Sequence, residues 1–176
     1  MKPEPELFPC PSRSSDLLPP TMPQQNHGKV GDAASDARAA AVAARTTAWQ
    51  AYTAANTVLG DDVSRYNGDI STWNAEAPTM PNPDYNDCFN LLAQAHDALT
   101  PESDNVNSGY NHVGAGDTDF TNGDNSQNPM QKTMLYNSAK AHYDACTTAA
   151  GTAGTNHTAV DTKLDAAEVI LARHGP

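Results

Sequence analysis

The chain has 176 residues, a formal net charge of −11 and a hydrophobic content of only 38%. A chain of this length forms one domain, and its low hydrophobic content predicts a thin core of the kind that long helices build. The negative charge argues against nucleic-acid binding, which needs clustered Lys and Arg. No apolar run approaches the roughly 18 residues that would span a bilayer.

The N-terminal segment is rich in proline, with seven of the thirteen prolines in residues 1–23. It lacks the apolar stretch of a Sec-type signal peptide. The sequence therefore assigns no compartment, and membership of a virion or of an extracellular assembly stays open. We predict an extended arm over residues 1–28 and a helical domain over 29–176. Ordering such an arm costs about 1–2 kcal/mol per residue, so the arm needs the surface of a partner.

A first long helix is predicted over about 33–77, inside a proline-free tract. Its larger side chains recur in alternating steps of three and four residues, at Trp49, Tyr52, Asn56, Leu59, Val63, Tyr66, Ile70, Trp73 and Ala77. That spacing is typical of one helix face and passes through Gly60 and Gly68 without interruption. Asp32 or Ser35 is the expected N-cap, and Pro78 ends the helix.

A second long helix is predicted over about 129–174, because the same spacing of three and four residues returns there. Asn128-Pro129 is a helix start signal, with Asn as N-cap and Pro at the first helical position. Gly151 and Gly154 leave open a break within this helix.

The segment between the long helices is predicted to be a short helix followed by a loop. Asn82-Pro83 repeats the start signal, and apolar residues mark a helix over about 84–99 that Thr100-Pro101 would end. Residues 101–128 are rich in Asn, Gly and Asp and are interpreted as a long acidic loop. The predicted fold is therefore all-α: an elongated antiparallel hairpin of two long helices with a short third helix.

The negative charge is concentrated in residues 78–129, which contain eight acidic side chains and no Lys or Arg. This region would therefore be a solvated acidic loop, or would bind a basic protein partner or a cation. The best cation ligands are Asp117, Asp119 and Asp124, whose carboxylates suit Ca²⁺. Their spacing departs from the EF-hand pattern, and Ca²⁺ is the one cofactor that the sequence suggests.

His142 and Cys146 lie four residues apart, a spacing that can hold zinc, but two ligands do not make a site. We interpret both as packed core residues, and Cys88 as a buried thiol, with a Cys88–Cys146 disulfide as the alternative. Asp61-Asp62 is interpreted as a solvated helix face. Phosphate-binding, serine-hydrolase and dinucleotide-binding motifs are missing, so the chain is predicted not to be an enzyme.

The aromatic residues of the first helix are the candidate interface. Two helices alone cannot cover rings of this size, so part of this surface would meet another subunit. The candidate interface residues are Trp49, Tyr52, Asn56, Tyr66 and Trp73. The predicted function is a structural or assembly subunit of a filament, virion or similar complex, as a homo-oligomer or part of a larger assembly. A monomeric module that docks a basic partner, and a Ca²⁺-binding protein, are the alternatives.

Overall fold

The computed structural model describes residues 33–174, which form three long helices. Helix α1 spans Ala33–Glu76, α2 spans Asn82–Asn125 and α3 spans Pro129–Leu171. Each is about 65 Å long at 1.5 Å per residue. The all-α class and the two long helices are confirmed. The Pro-rich arm over 1–28, Cys10 and the candidate N-cap Asp32 lie outside the described residues, and Ser35 lies inside α1.

The predicted short helix and acidic loop are wrong, because residues 82–125 form one continuous helix. Buried positions follow α2 from end to end in strict steps of four and three residues, at Cys88, Leu92, Ala95, Leu99, Glu102, Val106, Gly109, Val113, Gly116, Phe120 and Gly123. Pro101 lies inside the helix on its exposed face. A proline costs about 3 kcal/mol there, and burial along the helix outweighs this cost.

The predicted antiparallel arrangement of the two long helices is also wrong. Short connections reverse the chain twice, so α1 and α3 run parallel and α2 runs against both. The contacts agree, because Arg65 late in α1 pairs with Asp161 and Glu168 late in α3. Arg38 early in α1 pairs with Asp124 late in α2. Residues 101–125, predicted as a loop, complete a third full-length helix. This additional helix makes α1 and α3 parallel instead of antiparallel.

The start of α3 follows its predicted signal. Asn128 is the N-cap, and its Oδ1 accepts hydrogen bonds from the backbone N–H groups of Met130 and Gln131, at 3.0 and 3.3 Å. The helix continues through Gly151 and Gly154 without the break that these glycines left open. At α2 the Asn82-Pro83 pair also marks the helix start, but Asn82 is the first helical residue instead of the N-cap. No side chain caps this helix.

The core divides into two clusters that occupy opposite halves of the bundle. The aliphatic half, near the α1–α2 connection, buries Leu, Ile and Val side chains with Tyr66 and Trp73. The tyrosine half, near the α2–α3 connection, buries mostly alanines around Phe120, Tyr136 and Tyr143. Aromatic side chains follow the α1–α2 boundary, where Trp73 contacts Tyr85 and Phe89. The small residues of α3 let that helix pack closely against both others.

Candidate functional site

Four ionisable side chains meet between the helices in the aliphatic half, and we call them the buried charged layer. They are Asp62 from α1, Glu102 from α2, and His157 and Asp161 from α3. Asp62 is 4% exposed and Glu102 is fully buried. Apolar residues one helical turn away enclose this layer on both sides, among them Leu59, Leu99 and Val160. The side chains of His157 and Asp161 are 31% and 40% exposed, so the enclosed members are Asp62 and Glu102. Buried carboxyl groups are rare because burial disfavours the ionised form.

Glu102 is the most unusual member of the layer. Both of its carboxylate oxygens are buried, and within residues 33–174 neither accepts a hydrogen bond from an N–H or O–H group. Burial and the charge of Asp62 raise the pKa of Glu102 to about 8. Burial also raises the pKa of Asp62, against the lowering effect of His157. Two facing carboxyl groups can share a hydrogen bond only when one is protonated, and Glu102 is the one that carries the proton.

His157 links two carboxylates of the layer. Its Nδ1 lies 2.7 Å from Oδ2 of Asp62, and its Nε2 lies 3.2 Å from Oδ2 of Asp161. The hydrogen bond to Asp62 raises the pKa of His157 above its ordinary value, although burial opposes the shift. The imidazole therefore favours its protonated form between the two carboxylates.

Arg65 connects the layer to the surface of the bundle. Its Nη1 donates to Asp161 at 2.8 Å and its Nε donates to Glu168 at 2.6 Å. It also donates to Asp165. Asp161 thus stands between a guanidinium group and an imidazole, whereas no Lys or Arg of residues 33–174 forms an ion pair with Glu102.

The predicted Ca²⁺ ligands lie on a helix instead of in a loop. Asp117 and Asp124 are seven residues apart, about 10 Å along α2, so one ion cannot bind both. Arg45 binds Asp117 with two hydrogen bonds of 2.7 and 3.0 Å, and Arg38 binds Asp124. Asp119 accepts a hydrogen bond from Ser138. Each carboxylate therefore has a donor of its own, and no contact here supports the Ca²⁺ hypothesis, which stays a prediction.

The two Arg–Asp pairs belong to a motif that repeats after seven residues. The hydroxyl of Tyr143 donates to Asp117 at 2.7 Å, and that of Tyr136 donates to Asp124 at 2.8 Å. The residue before each aspartate is a glycine against which the tyrosine ring packs. A Cβ at Gly116 would lie 2.6 Å from Cε1 of Tyr143, and the same distance recurs at Gly123 with Tyr136. Only glycine leaves enough space for the tyrosine ring at these two positions.

The prediction of buried thiols is confirmed for Cys88 and Cys146, and the prediction that His142 is a core residue is wrong. Cys88 and Cys146 are buried free thiols, as predicted, and no disulfide joins them. Burial raises the pKa of each thiol to about 11, which keeps both unreactive. His142 is not a core residue. It lies half-buried between α2 and α3, with its Nδ1 3.4 Å from Nδ1 of His112.

The predicted interface residues separate into a buried and a half-buried group. Tyr66 and Trp73 are in the core, covered by the unforeseen helix α2. Trp49, Tyr52 and Asn56 are half-buried at the α1–α2 boundary. There the ring of Tyr52 lies 5.8 Å from the rings of both Trp49 and Tyr110, and Tyr110 is 38% exposed.

The interpretation of Asp61-Asp62 as a solvated face is correct for Asp61 and wrong for Asp62. The predicted acidic loop contains Glu102, and none of the predicted sites includes His157. One signal was present: Glu102 falls on the regular four-and-three spacing of α2, where an apolar residue is expected. A charged residue at such a position is a candidate functional residue.

Comparisons with protein-family models, curated proteins and solved structures find no match for this chain. Among residues 33–174, no helix combines the length and the apolar character that crossing a membrane requires.

Proposed function

We propose that this protein is a non-enzymatic assembly subunit that packs a helix of a basic neighbouring subunit against its α1–α2 face. One observation carries this proposal: the rings of Trp49, Tyr52 and Tyr110 gather on that face and stay partly open to solvent. Aromatic side chains that are half-covered in the free subunit are typical anchors of protein interfaces.

The charge of this face favours a basic partner over a second copy of the chain. Asp97 and Asp104, seven residues apart, are exposed on one side of α2, and the charge of Asp97 contributes to the raised pKa of Tyr66 on α1. Within residues 33–174, no Lys or Arg lies within ion-pairing distance of either carboxylate. Two copies with a charge of −11 repel each other, whereas Lys and Arg beside an apolar stripe complement this face.

A labelled amphipathic helical peptide, with leucines on one face and lysines on the other, is the probe for this proposal. We expect one peptide to bind each chain, measured by fluorescence anisotropy. Tyr110→Ser should weaken this binding at least about tenfold, as expected of an interface anchor. Asp97→Asn with Asp104→Asn should weaken it less and should reduce its salt dependence.

The matched control is Asp61→Asn with Asp87→Asn, which removes the same charge from exposed positions elsewhere on α1 and α2. Equal losses in both double variants would show a non-specific charge effect and would contradict the proposal. Light scattering on the purified chain supplies the other test. Self-association that Tyr110→Ser abolishes would refute a basic partner and assign the face to a second copy.

A further inference from the structure

We propose that the buried charged layer binds one divalent transition-metal ion between the three helices. In the aliphatic half, Asp62, His157 and Asp161 can each present one ligand atom, and these three atoms lie within 4.8 Å of one another. Ligands at about 2.0–2.2 Å from a common ion are at most about 4.4 Å apart, so small side-chain rotations complete the geometry. Sites of this kind form inside helical bundles from side chains on facing helices.

Glu102 is an independent observation that points to the same ligand. Its carboxylate is fully buried, faces Asp62, and receives no hydrogen bond from an N–H or O–H group of residues 33–174. A buried carboxylate without a donor is costly to the fold, and a metal ion is the partner that uses both its charge and its lone pairs. An ion beside Asp62 and His157 would therefore bring a positive charge next to the buried carboxyl group of Glu102.

The donor set selects the class of ion. Carboxylate oxygens together with one imidazole nitrogen suit Zn²⁺, Mn²⁺ or Co²⁺, whereas Ca²⁺ and Mg²⁺ take oxygen ligands almost exclusively. Among the transition metals, Zn²⁺ should bind more tightly than Mn²⁺. Arg65 holds Asp161 from outside and so orients one carboxylate toward the centre of the layer.

Metal ligands must be deprotonated to bind, so the affinity for the ion should rise with pH. The charged groups that face the layer are Asp62 and Arg65 from α1, Glu102 from α2, and His157 and Asp161 from α3. Calorimetry in buffers of different ionisation enthalpy counts the protons released.

The experiment uses the full chain after treatment with a chelator, and adds Zn²⁺, Mn²⁺, Co²⁺, Ca²⁺ or Mg²⁺ separately. We expect one Zn²⁺ or Co²⁺ per chain, a higher melting temperature and, with Co²⁺, visible absorption of a coordinated ion. Glu102→Gln keeps the shape and a neutral hydrogen-bonding group, and should weaken Zn²⁺ binding at least about tenfold. Far-UV circular dichroism confirms that the variant is folded.

His142→Gln is the matched control, because His142 and His112 form a pair of partly buried histidines away from the layer. This variant should bind Zn²⁺ like the wild type. Binding that His142→Gln abolishes and Glu102→Gln retains would overturn the proposal. So would a wild-type chain whose melting temperature is the same with and without Zn²⁺ at about pH 8. The proposal does not depend on the assembly role, which the peptide experiment tests separately.

Discussion

The two halves of the bundle handle buried polar groups in opposite ways. In the tyrosine half, Asp117 and Asp124 stand at the edge of the core, and each has an arginine and a tyrosine hydroxyl as donors. In the aliphatic half, Glu102 lies among apolar side chains without such a donor. Asp117 and Asp124 therefore receive their hydrogen bonds from the chain itself, whereas Glu102 needs a proton or a further partner.

Side-chain size explains the contrast. Alanines and glycines bring the helices of the tyrosine half close together, so a tyrosine that crosses the core can place its hydroxyl at the rim. Leu, Ile and Trp fill the aliphatic half, and a carboxylate at the same kind of position remains in the interior. The buried line along α2 is equally regular in both halves, so its spacing alone does not distinguish a structural position from a functional one.

Gly116→Ala should have the largest effect and should disrupt the tyrosine half. The new Cβ would lie 2.6 Å from Cε1 of Tyr143, a ring that is fully buried and held by Asp117. We expect the free energy of unfolding to fall by about 2–3 kcal/mol, measured by urea denaturation. Gly114→Ala is the control, because its Cβ would enter open space and should stabilise the helix by up to about 1 kcal/mol. Equal effects would refute the close packing of glycine and tyrosine.

The pH dependence of stability should distinguish the aliphatic half. Because the folded state raises the pKa of Glu102 to about 8, it binds a proton that the unfolded chain has already released above about pH 4.5. Stability should therefore fall as the pH rises from about 5 to about 8. Burial raises the pKa of Asp69 to about 6, and Asp62 raises that of His157, so both act in the same direction.

Glu102→Gln should reduce that fall by at least about 1.4 kcal/mol, the equivalent of one pKa unit. Thermal melting in a chelator-containing buffer measures the effect without metal. Asp87→Asn, at an exposed position of the same helix, should leave the pH profile unchanged. A profile for Glu102→Gln that is superimposable on the wild type would show that Glu102 is ionised in the folded protein.

A smaller effect should separate the two ion pairs within the tyrosine half. The side chain of Arg45 is 10% exposed and that of Arg38 is 38% exposed, although both bind an aspartate that a tyrosine also contacts. Solvent weakens the outer pair, so Arg45→Met should cost about 1 kcal/mol more than Arg38→Met. Urea denaturation of both variants checks this difference. A larger loss in Arg38→Met would contradict the ranking by burial.

The extent to which the fold was predictable follows from the residues on each apolar stripe. In α1, large side chains from Trp49 to Trp73 mark the stripe, and the helix was predicted within a residue or two. In α2, the same stripe is occupied by Gly109, Gly116 and Gly123, which carry little hydrophobic signal, and Pro101 looked like a stop. Gly116 and Gly123 leave room for tyrosine rings on α3, a reason that no local pattern reveals.

The candidate site was beyond sequence reasoning for a related cause. Whether Asp62 is buried depends on the third helix and on its register against the other two. Its neighbour Asp61, which is identical in type, is exposed. Glu102 could be recognised only after residues 101–125 were known to be helical. Pairing between distant segments, which brings Asp62 within 2.7 Å of His157, is a property of the packed structure alone.

The odd number of helices in residues 33–174 determines how far apart the two ends of this bundle lie. Ala33 and Leu171 stand at opposite poles, about 65 Å apart, where a hairpin would have put them side by side. Groups attached at Ala33 and at Leu171 would therefore be held apart by the full length of the bundle. Energy transfer between fluorophores at these two positions would report the distance directly.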